Sequence, residues 1–238
     1  MTQAVAVSTV EAAIRSRRTV RAFRPDAVPR RHLLEILEAA RMAPSTFNTQ
    51  PWRVHLLAGK AKRALSEAIL QAHGAGTQPA FSPFPDPALP DCAARQGDFG
   101  RRYYAALGID RADAAARGRQ TGRNFLFFDA PVGLIFTIHA ALTKHSWLDY
   151  GLFLQSFLLA AHARGLATCP QVSFVRYQSV IAAHLELAPE EAVVCGVSLG
   201  YADEQAAVNR LGMPREPLEA FTRWLGFDEP AGSAGADD

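Results

Sequence analysis

The clearest helical pattern in the 238-residue chain lies between two prolines, Pro29 and Pro44. Apolar residues there recur at positions i, i+3, i+4 and i+7, so they share one face of a helix. They are Leu33, Ile36, Leu37 and Ala40. Pro29 suits a first helical turn, and Pro44 disfavours helical backbone in the residue before it. Upstream, Ser8 and Glu11 have capping-box spacing and predict a short first helix that runs into Arg15.

Three segments are rich in β-branched and apolar residues without helical periodicity, which predicts strands. They are residues 52–58, the part of 125–139 that follows Pro131, and residues 192–199. The second and third are apolar nearly throughout, as is typical of buried strands. Residues 61–72 have a helical composition. Because strands and helices do not alternate regularly, the order of elements predicts a mixed α+β protein with few strands and more helix.

Residues 147–164 predict a long helix that is apolar on nearly all sides. Gly165 follows it as a typical residue just past a helix C-terminus. A helix without a polar face has to be buried on several sides. We therefore expect this helix to lie centrally in the fold or against a second subunit.

Prolines interrupt the middle of the chain. Five lie close together, at Pro79, Pro83, Pro85, Pro87 and Pro90. Proline removes a backbone N–H, so we predict that residues 74–100 hold no regular element and form a long surface excursion, after which a helix returns at 103–119. No shift in composition marks a linker. We expect one domain over residues 1–227, with an excursion or cap at 74–120, and a disordered tail at 228–238.

Composition and charge exclude several classes of function. The chain has 25 Lys and Arg against 23 Asp and Glu, and a net charge of +2 is too small for the whole surface to hold nucleic acid or a membrane. No apolar run approaches the roughly 20 residues that span a bilayer, and the N-terminus lacks a secretory signal pattern. Three separated cysteines argue against a disulfide framework or a zinc site. We expect an unprocessed cytoplasmic protein without a metal.

Positive charge is concentrated between residues 15 and 31, where seven arginines accompany one acid, Asp26. Guanidinium groups bind phosphate oxygens in bidentate pairs, so residues 16–23, with the hydroxyl of Thr19, suit a phosphate monoester. A solvated basic face explains the same residues. Nucleic acid is a third interpretation, although the segment lacks interleaved aromatic residues and a recognisable binding module.

A second polar segment, residues 43–52, follows a predicted helix and contains Pro44 and Pro51. The side chains of Asn48 and Gln50 can each donate and accept hydrogen bonds, which suits the uracil-like edge of a flavin or a ribityl chain. A turn whose polar side chains only satisfy nearby backbone groups is the alternative. The segment alone does not decide between the two.

Neither GxGxxG after the first strand nor GxxxxGK[ST] occurs, so the sequence does not support a dinucleotide-binding or P-loop fold. The two polar segments, separated by a helix, instead resemble the N-terminal signature of the nitroreductase family of flavoproteins, and further motifs extend the resemblance from residue 14 to about residue 225. These motifs are Phe128-Asp129-Ala130-Pro131 before a strand, Asp149-Tyr150-Gly151 opening the long helix, Gly165-Leu166-Ala167-Thr168-Cys169-Pro170-Gln171 after it, and Val197-Ser198-Leu199-Gly200-Tyr201 near the C-terminus. The resemblance is closest to the nitroaromatic-reductase-like members.

This resemblance implies a mixed sheet surrounded by helices, a long buried central helix, and an intertwined homodimer with FMN at its interface. The positions that match the family's FMN contacts within one subunit are Arg17, Arg18, Thr19, Arg21, Pro170, Gln171 and Val172. Those that match contacts supplied by the partner are Ser45, Asn48 and Gln50. The late basic position for the phosphate matches Arg210 or Arg215, because Gly212 and Pro214 stand where a further basic residue is common.

The implied activity is hydride transfer from NADH or NADPH through FMN to an electron-poor acceptor, such as a nitroaromatic or a quinone, in a ping-pong cycle at one site. No acid–base residue is required, and Arg21 near the pyrimidine edge would stabilise the negative charge of reduced flavin. Relatives of the same fold destroy flavin, remove halides or dehydrogenate azolines, and these chemistries stay open as alternatives. No motif encodes the physiological acceptor, the preferred nicotinamide or the role of residues 79–90.

Overall fold

The computed structural model describes residues 2–76, 87 and 89–227, and within them the predicted mixed α+β architecture is confirmed. The helices are α1 (Thr2–Ser16), α2 (Arg30–Ala40), α3 (Gly59–Gly74), α4 (Pro90–Ala106), α5 (Ala114–Gly122), α6 (Lys144–His162) and α7 (Gln178–Leu185). The strands are β1 (Arg53–Ala58), β2 (Val132–His139), β3 (Ala167–Gln171) and β4 (Glu191–Gly200). No helix of the described ranges is long and apolar enough to cross a membrane.

The four strands form one sheet in the order β1-β2-β4-β3, and each neighbouring pair is antiparallel. The two central strands, β2 and β4, are the two that the sequence predicts to be buried. At the β3 edge, a parallel bridge between Thr19 and Thr168 adds the segment that follows α1. The sheet therefore positions the arginine-rich segment along one of its edges.

Side chains of β2 alternate between the two faces of the sheet, which are covered by different helices. On one face, α2 and α6 pack over Leu134 and Phe136; on the other, α3 and α7 pack near Ile135. At the β1 edge, Trp52 stacks on Phe153 of α6, with ring centroids 4.6 Å apart. The sheet is thus the middle layer, and α6 lies across one face of it.

Strand β3 was not predicted; it has five residues, and Pro170 lies inside it. A proline cannot donate a hydrogen bond to a neighbouring strand, so it is confined to edge strands, bulges and strand ends. In this sheet β3 is an edge strand, which accommodates the proline.

Two further predictions are wrong in detail. Helix α1 begins at Thr2 rather than at Ser8, since the upstream residues continue the helix. The predicted absence of regular structure over residues 74–100 fails because α4 begins at Pro90, and a proline in the first helical turn loses no intrahelical hydrogen bond. Pro79, Pro83, Pro85 and the tail at 228–238 lie outside the described residues.

The single helix predicted at 103–119 is two helices. The chain leaves α4 through Gly108, whose φ of +65° falls in the left-handed region that favours glycine. It enters α5 at Asp113, whose carboxylate accepts a hydrogen bond from the backbone N–H of Ala116 at 2.8 Å. The predicted single helix is therefore divided into α4 and α5 by a turn at residues 107–113.

Candidate functional site

The arginine-rich segment is fixed by its backbone. The N–H of Val20 donates to the carbonyl of Thr168 at 3.0 Å, and the N–H of Arg24 donates to the carbonyl of Tyr201 at 2.9 Å. The side chain of Val20 is buried in the core. Strand β3, the residue that follows β4 and the core thus hold the backbone of this segment, so its arginines are presented from a fixed backbone.

Asn209 connects this segment to the C-terminal part of the chain. Its side-chain oxygen accepts from the N–H of Arg21 at 2.8 Å, and its amide donates to the carbonyls of Ala22 and Asp203 at 2.7 and 2.9 Å. The guanidinium of Arg18 donates to the Asn209 carbonyl. Sequence reasoning missed Asn209, because nothing in its neighbours marks an asparagine that bonds a segment nearly 190 positions away.

A cavity of about 520 Å³ opens between the end of α1, residues 17–21, α4 and residues 210–215. No acidic side chain is among the described residues that line it. Six arginines do, and they include both candidates for the late basic position: Arg15, Arg17, Arg18, Arg21, Arg210 and Arg215. The fold therefore brings two basic segments, distant in sequence, to one concave site.

The electrostatics of this cavity favour an anion. Burial lowers the pKa of Arg17, and the nearby charge of Arg215 lowers that pKa further. The Nε of Arg17 is shielded from solvent and has no hydrogen-bond partner in the described structure. A buried donor without an acceptor costs free energy, and a phosphate supplies both the acceptor and the opposite charge. The phosphate of FMN fits this donor set.

The two late arginines differ in how they are held. The guanidinium of Arg210 donates to the carbonyl of Gln205 at 2.9 Å, whereas that of Arg215 donates to the carbonyls of Met213 and Pro214, both at 3.1 Å. Only Arg215 lies near enough to Arg17 to contribute to its pKa shift. Arg215 is therefore the better candidate for a ligand shared with Arg17.

Helix α4 closes one side of the arginine cavity. The guanidinium of Arg21 lies 5.1 Å from the ring centroid of Phe99 and 5.2 Å from that of Tyr103. The hydroxyl of Tyr103 accepts from the side-chain amide of Gln120 in α5 at 2.7 Å. Sequence reasoning named neither aromatic residue as part of the site. Phe99 fell in the segment predicted to be irregular, and Tyr103 fell at the start of the helix predicted at 103–119, so their i, i+4 spacing was not used.

The second predicted segment, residues 45–50, lies at the opposite end of α6 in the same chain. The hydroxyl of Thr46 donates to Asp149 near the start of α6, whereas Ser16 is 2.7 Å from His162 at its end. From Asp149 to His162 a helix rises about 20 Å. One chain therefore does not bring residues 45–50 to its own arginine cavity.

The backbone of residues 45–50 is strained. Three non-glycine residues have positive φ: Phe47 at 51°, Asn48 at 57° and Gln50 at 47°. The hydroxyl of Ser45 accepts from the N–H of Gln50, and the Gln50 side chain donates to the carbonyl of Asn48. Phe47 is 98% exposed. A strained loop that presents a fully exposed ring is suited to contact a second molecule.

The third group of predicted contacts, residues 170–172, lies at the end of β3 away from the Thr19 bridge. These residues are not among those that line the arginine cavity. The Gln171 side chain is buried, donating to the carbonyl of Asn124 at 2.8 Å and accepting from Ser198 at 2.6 Å. Pro170 is partly exposed and Val172 is 48% exposed. A ligand here could therefore contact only the backbone and the side chains of Pro170 and Val172.

Comparison with known proteins decides the family. A model of the nitroreductase family matches residues 14–201. The chain belongs to the nitroreductase family. Within it, the chain is 50% identical over 218 residues to the 4-nitrobenzoate reductase of Pseudomonas putida. The aligned residues cover 92% of this chain and 96% of that relative.

Two solved nitroreductases have closely similar structures. The FMN- and NADPH-dependent nitroreductase NfnB from Sphigopyxis sp. strain HMH superposes with a TM-score of 0.89 at 35% identity, over 92% of this chain and 99% of its own. The FMN-dependent NfnB from Mycobacterium smegmatis, solved in complex with NADPH, gives 0.87 at 34% identity with the same coverage. The predicted family, fold and enzyme class are confirmed, and the predicted FMN and NAD(P)H agree with these family members.

Proposed function

We propose that this nitroreductase is an FMN-dependent enzyme that uses NAD(P)H to reduce an electron-poor aromatic acceptor, a nitroaromatic in the first place and a quinone in the second. The observation that carries the proposal is the six-arginine cavity, in which the Nε of Arg17 is buried without a partner. The identity to a 4-nitrobenzoate reductase supports nitrobenzoates as the acceptor class.

Different residues around the cavity would contact different parts of FMN. Arg17 and Arg215 would hold the phosphate, with Arg210 at the rim. Arg17 and Arg215 lie close together, and the Nε–H of Arg17 has no acceptor in the described chain. The remaining predicted contacts would follow the ribityl chain and the ring: Arg18, Thr19, Arg21, Pro170, Gln171 and Val172. Bound FMN supplies hydride transfer from a nicotinamide to the acceptor, in the two half-reactions of a ping-pong cycle.

Arg21 would tune the chemistry by its charge. A cation near the pyrimidine edge stabilises negative charge that develops there on reduction. Phe99 and Tyr103 restrict the Arg21 guanidinium through cation–π contacts, so its charge is positioned before a substrate arrives. Neither contact neutralises the charge, which is what the role requires.

A homodimer would complete the site. Helix α6 keeps an exposed apolar face in the single chain, at Trp147, Leu148 and Leu152. A Cβ added at Gly151 on the same face would meet nothing within 4 Å, although a glycine inside a helix costs about 0.5 to 1 kcal/mol relative to alanine. No contact within the described chain requires that glycine, and close approach of a second copy would account for it.

The ends of α6 give this dimer its geometry. One end contacts residues 45–50 and the other adjoins the arginine segment, as described above. A two-fold axis across the exposed face sets two α6 helices antiparallel, and each copy's Ser45, Asn48 and Gln50 then approach the partner's arginine cavity. At the C-terminal end, four exposed apolar side chains fit an arm laid on a second subunit: Phe221, Trp224, Leu225 and Phe227.

The arrangement of charge favours a small phosphate ligand over a nucleic acid. The arginines converge on a cavity of about 520 Å³ and do not follow an extended face. The three cysteines are free, with Cys169 and Cys195 buried, which fits a reducing cytoplasmic location.

The test begins with the purified protein, which should be yellow and contain about one FMN per subunit. Steady-state rates with NADH and NADPH are then compared over 4-nitrobenzoate, other nitroaromatics, quinones and free flavin. Turnover of nitroaromatics well above that of free flavin and oxygen supports the proposal. Bound FMN with low turnover of every acceptor would refute it and favour one of the other flavin chemistries of this fold.

A further inference from the structure

A second basic cavity, separate from the arginine cavity, lies between α4 and α5. It has a volume of about 340 Å³ and contains three arginines, Arg101, Arg111 and Arg117, from both helices and the turn between them. Gly97, Tyr104 and Ile109 are among its other lining residues. We call it the α4–α5 pocket.

The charges of this pocket are not balanced within the chain. Arg101 forms an ion pair with Asp98. In the described ranges, neither Arg111 nor Arg117 has an acidic partner, and the Nε of Arg117 is shielded from solvent without a hydrogen bond. Two unpaired guanidiniums, one of them with a buried donor, are arranged as for a ligand with a double negative charge, since one bidentate guanidinium already satisfies a carboxylate.

The remaining wall of the pocket is apolar and open. Tyr104 and Ile109 line it beside the arginines. A Cβ added at Gly97 or Gly100 would meet nothing within 4 Å, so space is left next to the Tyr104 ring. A flat ring beside two cations suits a ligand that combines an aromatic base with a phosphate.

Helix α4 separates the two cavities. Its residues Phe99 and Tyr103 contact Arg21, while Arg101 and Tyr104 line the α4–α5 pocket. A helix with its side chains is about 10 Å across, which exceeds the length of a single benzoate ring. A ligand that reacts near Arg21 and also places an anion in the pocket therefore has to be longer than about 10 Å, a length that a dinucleotide exceeds.

The geometry points to the α4–α5 pocket as the site that receives the 2′-phosphate of NADPH, with Arg111 and Arg117 on the phosphate and Tyr104 beside the adenine. This inference rests on the proposed function, because it assigns the nicotinamide substrate to that enzyme. It predicts a preference for NADPH over NADH, since NADH has no 2′-phosphate to pair with the two arginines.

The experiment uses the FMN-loaded protein and the variants Arg111→Ala, Arg117→Ala and their combination. Arg119→Ala is the matched control, because Arg119 is an exposed arginine of α5 that does not line the pocket. We expect each pocket variant to lower kcat/KM for NADPH by about tenfold, the strength of a lost charge-assisted contact, while kcat/KM for NADH changes less than about twofold. Arg119→Ala should match the wild type with both.

Calorimetry with adenosine 2′-monophosphate gives a readout independent of turnover. The wild type should bind this nucleotide more tightly than adenosine, and the double variant should lose the difference. Equal losses of kcat/KM with NADPH and NADH, or unchanged kinetics, would overturn the inference. A raised KM for 4-nitrobenzoate with unchanged kinetics for NADPH would also overturn it and would assign the pocket to the acceptor. A protein that reduces nothing would refute the proposed function, while the calorimetry would still decide the pocket.

Discussion

The side-chain oxygen of Asn209 accepts a hydrogen bond from the backbone N–H of Arg21 at 2.8 Å. Asn209 is 3% exposed, and its amide also donates to two carbonyls. This one side chain therefore joins the two basic segments that form the arginine cavity.

Replacement of Asn209 tests this connection. We expect Asn209→Ala to lower the free energy of unfolding by about 1 to 3 kcal/mol, because it leaves buried backbone groups without partners. FMN affinity should fall as well, since residues 210–215 lose their tie to the arginine segment. Chemical denaturation of the FMN-free protein and fluorescence titration with FMN measure the two effects. Unchanged stability of the FMN-free protein would show that the bond is dispensable.

Arg17 and Arg215 are expected to bind the FMN phosphate. Arg17→Ala and Arg215→Ala should each raise the Kd for FMN by about 10- to 100-fold, the range of a charge-assisted hydrogen bond. Arg210→Ala should have less effect, since Arg215 and not Arg210 contributes to the pKa shift of Arg17. Riboflavin, which lacks the phosphate, serves as the matched ligand, and its affinity should not change. A parallel loss for riboflavin would mean that the variants disturb the cavity as a whole.

Arg21 is expected to stabilise reduced flavin. Arg21→Ala should make the midpoint potential of bound FMN more negative and lower the rate of flavin reduction, because positive charge is lost where negative charge develops. Arg21→Lys keeps the charge and should retain most of the potential. Spectroelectrochemical titration of variants that still hold FMN gives the measurement. The assignment fails when Arg21→Ala has the potential of the wild type.

The exposed face of α6 is expected to be the dimer interface. Leu152→Glu places a charge in it and should produce a monomer that binds FMN weakly. Leu89→Glu is the control, because Leu89 is also exposed but lies at the start of α4. Light scattering coupled to size-exclusion chromatography measures the mass. A Leu152→Glu protein that remains dimeric would place the interface elsewhere.

The environment of Glu191 is expected to make the stability of the fold depend on pH. Burial by itself would raise the pKa of its carboxyl, but hydrogen bonds from Arg53, Thr137 and His55 outweigh burial and hold that pKa below its usual value. A carboxyl with a lowered pKa stabilises the fold above the unfolded value, and this stabilisation is lost as pH falls through the folded pKa.

The variant Glu191→Gln isolates that contribution. We expect it to be less stable than the wild type by about 2 kcal/mol at neutral pH, and the difference should shrink as pH falls below about 4. Urea unfolding across this pH range, at fixed protein concentration, measures the difference. If the difference in unfolding free energy stayed constant across this pH range, the lost stability would not come from the charge of Glu191.

Part of the fold could be predicted because its signals are local. The apolar periodicity of α2 and the continuous apolar runs of β2 and β4 lie within single elements, so their burial in helix or strand follows from spacing. Strand β3 could not be predicted, since only the antiparallel partner β4 makes a strand of a segment that contains Pro170. Likewise, α4 was missed because a proline is a helix breaker or a helix start depending on its position.

The sequence by itself determined the family, the mixed α+β class and the identity of the charged residues, because motifs and composition are properties of neighbouring positions. Only the tertiary structure decided which charges meet: residues 17–21 and 210–215 share one cavity, whereas residues 45–50 lie at the far end of α6. The physical reason is that hydrogen bonds and packing between distant segments, such as Asn209 on Arg21 and Phe99 beside its guanidinium, depend on the fold and leave no periodic trace in the chain.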